Sequence, residues 1–150
     1  MADVDSIPFT PLLYTTVGDK TDSAWLKKED LKPLLQSFFV PEIDSTNLIN
    51  FFTETKFNDQ TIHAITLTYE PTAQLPDTFA IRSWNVYINP ETGNVTSIYI
   101  LKQYKENNQS FTQQLTWKTG KSATITTIHD LPDGNSELVK KQKIIWSYNQ

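Results

Sequence analysis

Side chains that do chemistry in most enzymes are scarce in this chain of 150 residues. It has no Cys and two His, His63 and His129. The lack of Cys removes disulfides, thiol nucleophiles and zinc–thiolate sites together. An imidazole works as acid, base or metal ligand only beside a second group that fixes its tautomer or completes a ligand set. Asp130 follows His129, and Glu70 lies near His63 in sequence. Neither spacing builds a triad or a metal cluster. His63 alternates with Ile65, Leu67 and Tyr69, which places it on the apolar face of a strand and makes it the one local candidate for an acid/base role. His129 closes a strand beside Asp130 and reads as an exposed turn residue. No catalytic, cofactor-binding or metal site is assigned, and no cofactor is implied.

The remaining motifs have structural readings. Gly120-Lys121-Ser122 has the ending of a phosphate loop, but Leu115 stands where the loop needs its first Gly. The residues that follow, Ala123-Thr124-Ile125-Thr126, are strand-forming where a helix is required. A hairpin turn fits better. Leu75-Pro76-Asp77-Thr78-Phe79 has the start of a sortase sorting signal with Phe79 in place of Gly, and reads as a loop. Asn94-Val95-Thr96 and Asn108-Gln109-Ser110 are glycosylation sequons, expected by chance in so polar a chain. Glu29, Asp30, Glu42 and Asp44 flank helix starts, where carboxylates offset the helix dipole. Lys140, Lys141 and Lys143 read as a charged edge strand that resists aggregation.

Aromatic residues are the better candidates for recognition: eight Phe, six Tyr and four Trp. Trp84, Trp117 and Trp146 fall on three different strand patterns, with Tyr148 close behind. Large aromatics on the inner face of a sheet are core if the face is covered. They line a pocket or interface if a gap remains.

Composition excludes several classes. The apolar fraction of 38% is enough for a core. The formal net charge of −4 supplies no basic face for nonspecific nucleic-acid binding. No run approaches the ~20 apolar residues of a membrane helix. If Met1 is the native start, the acidic Asp3 and Asp5 argue against a signal peptide and the protein is expected in the cytoplasm. The alternative is an exported bacterial domain whose signal peptide has been removed.

The elements that must position these residues follow from periodicity. Residues 1–22 read as an N-terminal arm with one short strand at Leu12–Val17. Residues 23–58 read as a helical part. Leu31, Leu34, Leu35, Phe38 and Phe39 make one apolar stripe of a helix starting near Asp30, with Pro33 in its first turn and Pro41 as its stop. Asp44 is the expected N-cap of a second helix, with Ile43 and Leu48 at hydrophobic-staple spacing and an end near Thr55. Residues 59–150 read as an antiparallel sheet of about six strands. These are Thr61–Tyr69, Phe79–Ile88, Val95–Tyr104, Phe111–Lys118, Ala123–His129 and Leu138–Tyr148. A shift of apolar phase predicts a bulge near Arg82-Ser83. Gly93 and Gly120 are the expected positive-φ turn residues.

The segment Trp84-Asn85-Val86-Tyr87-Ile88-Asn89-Pro90-Glu91-Thr92-Gly93-Asn94-Val95 resembles the strand–turn–strand of PepSY-type domains, with Asn89 where that family tends to have Asp. The resemblance covers about a dozen residues, most of which the turn itself selects. It implies a small extracytoplasmic binding or inhibitory module, and we assign no family from it.

The sequence therefore predicts one α+β domain, with two N-terminal helices packed on one face of an antiparallel, mostly meandering sheet, cystatin-like or helix-on-curved-sheet. The function expected is a non-catalytic binding or interaction domain for a protein partner or a small apolar ligand. Two alternatives stand beside it. One is a cone-shaped enzyme of the ketosteroid-isomerase sort with an acid/base group between helices and sheet. The other is an acidic immunity-type protein.

Overall fold

Period-two alternation of Thr and β-branched or aromatic residues builds most of the protein. In the computed structural model, which describes residues 11–146, this alternation forms six consecutive strands: β4 (Ala64–Pro71), β5 (Ile81–Ile88), β6 (Val95–Glu106), β7 (Gln109–Lys118), β8 (Ser122–Asp130) and β9 (Ser136–Ile145). They pair as an antiparallel meander. Gly93 (φ 76°) and Gly120 (φ 75°) hold the left-handed conformation in their turns. Asn107 and Asn108 share it in the β6–β7 turn, where a short polar side chain tolerates it. The register shift between Ile81 and Ser83 is the bulge expected at Arg82-Ser83.

Among the described residues three further strands bring the sheet to nine rather than about six. The N-terminal arm is a hairpin within its described part, β1 (Leu12–Val17) and β2 (Lys20–Trp25). The end of the expected second helix is a strand, β3 (Phe52–Asp59), so the helical part 23–58 is bounded by β structure. Thr53, Thr55, Lys56 and Phe57 on β3 are exposed, so the strand carries no apolar face to signal it. The sheet order is β2-β1-β9-β8-β7-β6-β5-β4-β3. β9 is thus interior, paired with β8 and β1, and Lys140, Lys141 and Lys143 do not mark an edge. Among the described residues the edges are β2 and β3.

The helical segment joins those two edges. α1 (Lys28–Leu35) begins with Glu29 and Asp30 in its first turn and tightens into a 3-10 turn over Gln36–Phe38. It starts two residues before the expected position, so Pro33 lies inside the helix rather than in its first turn. The Val40–Pro41 peptide is cis. α2 (Ser45–Phe51) is capped as expected, with Asp44 Oδ1 accepting from the Asn47 N–H at 2.7 Å. It ends at Phe51, where Phe52 turns extended and enters β3. Among the described residues, no helix is long and apolar enough to cross a membrane.

One face of the sheet is apolar where the helices meet it. Register aligns Leu13, Ile144, Ala123, Trp117, Ile98 and Val86 across neighbouring strands. The adjacent row runs Ile125, Leu115, Ile100, Trp84, Tyr69 and Glu54. Leu31, Leu35 and Phe38 of the helical segment join Leu115, Trp117, Ile125, Ile144 and Trp146 in one buried cluster. The Phe38 ring meets Trp117 edge-on at 5.6 Å. Further along the same face the rows turn polar: Lys102, Gln113, Thr127 and Lys140, then Tyr104, Phe111, His129 and Glu137.

Candidate functional site

Between the helical segment and β4–β6 the apolar face is left partly uncovered. Phe38, Phe39, Pro41, Glu42, Ile43 and Leu48 form one wall of a cleft of about 600 Å³, open to solvent along one side. Tyr69 of β4, Ile81, Trp84 and Val86 of β5, and Ile98 and Ile100 of β6 form the other. The strand residues fall there because they alternate onto the inner face. The helical residues fall there because α1 has ended and α2 is short. Ten of the twelve lining residues are apolar or Trp, and Glu42 and Tyr69 are the others. The size and lining match those of small-molecule sites.

Aromatic packing fixes the strand wall. Tyr69 and Trp84 stack almost parallel, with centroids 4.4 Å apart. Phe52 braces Trp84 edge-on at 4.6 Å and also contacts Phe79, which packs on Phe51. Tyr69 donates its hydroxyl proton to the Glu54 carboxylate. Burial, then that hydrogen bond and the carboxylate charge, push the phenol up to about 12.

Lys102 fastens the helical wall to the sheet. It follows Ile100 on the inner face of β6 and is 4% exposed. Its ammonium donates to the carbonyls of Ser37 and Val40. These carbonyls lie just past α1, where a helix leaves acceptors without intrahelical partners. Burial pushes the amine down to about 8. Lys102 is not part of the cleft lining.

The other sequence candidates scatter. His63 is not on the apolar face of a strand. It occupies the β3–β4 turn with φ 51°, its side chain is 66% exposed, and its Nε2 lies 3.2 Å from Glu91 Oε1. The alternation of His63 with Ile65, Leu67 and Tyr69 misleads because it continues past the end of the strand. The turn signal, Asp59 accepting from Thr61 N–H at 2.9 Å, ends the strand pairing one residue later, at Ala64. His129 is not an exposed turn residue. It stacks on Phe111 at 5.1 Å, and its Nδ1 is 3.1 Å from Glu137 Oε1. Neither His lines the cleft, and their carboxylate partners are Glu91 and Glu137 rather than Glu70 or Asp130. Trp117 and Trp146 are core, 5.1 Å apart and at most 3% exposed. Of the three tryptophans only Trp84 reaches the cleft. Tyr148 lies outside the described residues. Among the described residues no group of three His, Cys, Asp or Glu could hold a metal ion.

A second hollow of about 720 Å³ lies at the far end of the face, between Asp77-Thr78 and the β6–β7 hairpin. Six polar or charged residues and the stacked rings of Tyr104 and Phe111 line it. Most of its lining residues are polar or charged, so it is the weaker site for an apolar ligand despite its volume.

The chain matches no protein-family model, no curated protein and no solved structure. The likeness of Trp84–Val95 to PepSY-type domains thus rests on one turn. That turn is built by Asn89, whose side chain accepts from Glu91 N–H at 2.8 Å, and by Gly93.

Proposed function

We propose that the protein is a non-catalytic binding domain that holds a small apolar ligand between its helical segment and its sheet. The observation that carries this reading is the half-open cleft of about 600 Å³ with ten apolar or Trp residues among the twelve that line it. Burying apolar ligand surface there contributes roughly 25 cal/mol per Å² before the costs of association. The Tyr69–Trp84 stack offers a flat wall for a ring or chain.

The cone-shaped enzyme has less support. It needs an acid/base group inside, and His63 sits on a distant turn. Of the cleft's two titratable side chains, Tyr69 keeps its proton to about 12 and shares it with Glu54 as a hydrogen-bond donor. Glu42 sits exposed on the wall. A protein partner docked by strand addition to β9 also loses support, since β9 is interior.

The test is titration with an apolar fluorophore, N-phenyl-1-naphthylamine, against wild type and Val86→Trp, which fills the cleft. Binding by wild type, lost in a folded Val86→Trp variant, is expected. Equal binding by both would sink the proposal.

A further inference from the structure

The cleft is apolar, but its few polar atoms share one character. Glu42 contributes a carboxylate, an acceptor only. Tyr69 contributes a phenol oxygen whose proton is committed to Glu54, so what it offers a ligand is a lone pair. Glu54 itself stands directly across from Tyr69 in the strand register, a second carboxylate behind the first polar contact. The Tyr69 and Trp84 rings cover one face of each other, and any ring face left open to the cleft is electron-rich and attracts cations.

No basic residue lines the cleft among the described residues. The nearest buried cation, Lys102, does not line the cleft and turns two of its three N–H groups to the Ser37 and Val40 carbonyls. Lys56, two residues along β3, is like Glu54 exposed and outside the cleft lining, but it stands across from Leu67, whereas Glu54 is tied to the lining residue Tyr69.

Resting on the reading of the cleft as a small-molecule site, we infer that its ligand carries a donor-rich cationic head, of the alkyl- or arylammonium class, on an apolar body. Such a head finds Glu42, the Tyr69 oxygen, the ring faces and, beyond them, Glu54. An apolar carboxylate of the same length finds acceptors facing acceptors and a charge with no partner, which costs free energy on desolvation. The cleft therefore discriminates by head group between ligands that its apolar walls cannot tell apart.

The experiment is displacement of bound N-phenyl-1-naphthylamine by octylammonium and by octanoate at pH 7. The same titrations are run on Glu42→Gln/Glu54→Gln and, as a control with an equal change of charge elsewhere, on Glu91→Gln/Glu137→Gln. Octylammonium is expected to displace at a concentration lower than octanoate by about tenfold or more. That ratio should fall to about threefold or less in the cleft variant and persist in the control. If the fluorophore does not bind, the cleft reading fails and this inference fails with it. A bound fluorophore that octylammonium does not displace, or that octanoate displaces as well or better, overturns the head-group assignment alone. So does a ratio that survives the cleft variant or is lost equally in the control.

Discussion

Trp117 and Trp84 stand on the same face of the same sheet, with one strand between them, and meet opposite surroundings. Trp117 is 1% exposed, closed in by Phe38 and Trp146. Trp84 packs on Phe52 and Tyr69 and then faces an open cleft. The sheet does not make this difference, since both rows are apolar. The helical segment does. Leu31, Leu35 and Phe38 arrive at helical spacing and are buried in the core. Past Phe38 the chain leaves the helix, and Phe39, Ile43 and Leu48 line space without filling it. Where an amphipathic helix spans the sheet the face becomes core, and where it stops the face becomes a site.

The largest expected effect compares the two tryptophans directly. Trp117→Ala should cost about 3–5 kcal/mol, as large truncations in a closed core do. Trp84→Ala should cost about 1–2 kcal/mol, because part of its surroundings is already solvent. Equilibrium urea denaturation of both reads the difference. Equal losses would mean that the cleft is closed in solution.

The next effect concerns the clamp between wall and sheet. Below about pH 8 Lys102 is charged in folded and unfolded chains alike, and the cost of burying the charge is fully present. Between about 8 and 10.5 the unfolded chain holds a proton the folded chain has released, so stability rises with pH. Tyr69 acts in the opposite sense above 10, where the unfolded phenol ionises and the folded one waits until about 12. The stability of wild type relative to Lys102→Met should therefore improve from about pH 7 to pH 10, by on the order of 2 kcal/mol. A difference independent of pH would show that Lys102 is not buried as described. The neutral amine keeps two N–H groups, one for each carbonyl, so the wall should stay fastened through the transition.

Two smaller effects separate stability from the site. Gly93→Val puts a β-branched residue at φ 76°, where the added carbon meets no neighbour within 4 Å, so the penalty is that of the backbone alone. About 1–2 kcal/mol is expected, with fluorophore affinity unchanged. Asp44→Ala removes the cap of α2 and should cost about 1 kcal/mol. Because Leu48 of α2 and the neighbouring Ile43 line the cleft, it should also weaken fluorophore binding. Binding that follows global stability equally in both variants would break the distinction between wall and distant turn.

Sequence pattern revealed the meander from β4 to β9, the bulge at Arg82-Ser83, the glycine turns and the Asp44 cap, because each has a local cause. It missed β2 and β3. Edge strands exposed on most of their length carry no alternation, and β3 follows a helix without a break. The edge position expected for β9 fails for another reason: β1 is expected as a strand, but it comes from the far end of the chain and its pairing with β9 has no local signal. The cleft was legible only as a question about Trp84. Its wall depends on where α1 ends and how little of the face α2 covers, which is a matter of tertiary geometry. Tyr69 carried a signal in its alternation with Leu67 and Ile65. Lys102 carried a fainter one, as a lysine following Ile98 and Ile100 on the inner face of an interior strand.

The most direct test is methyl NMR of the Ile-, Leu- and Val-labelled protein titrated with octylammonium. The methyls of Ile43, Leu48, Val86, Ile98 and Ile100 are expected to shift together and saturably, while those of Leu115, Ile125 and Ile144 stay in place. Shifts spread evenly over both groups, or none in the first group at saturating fluorophore-displacing concentrations, would contradict a ligand held where the helices leave the sheet uncovered.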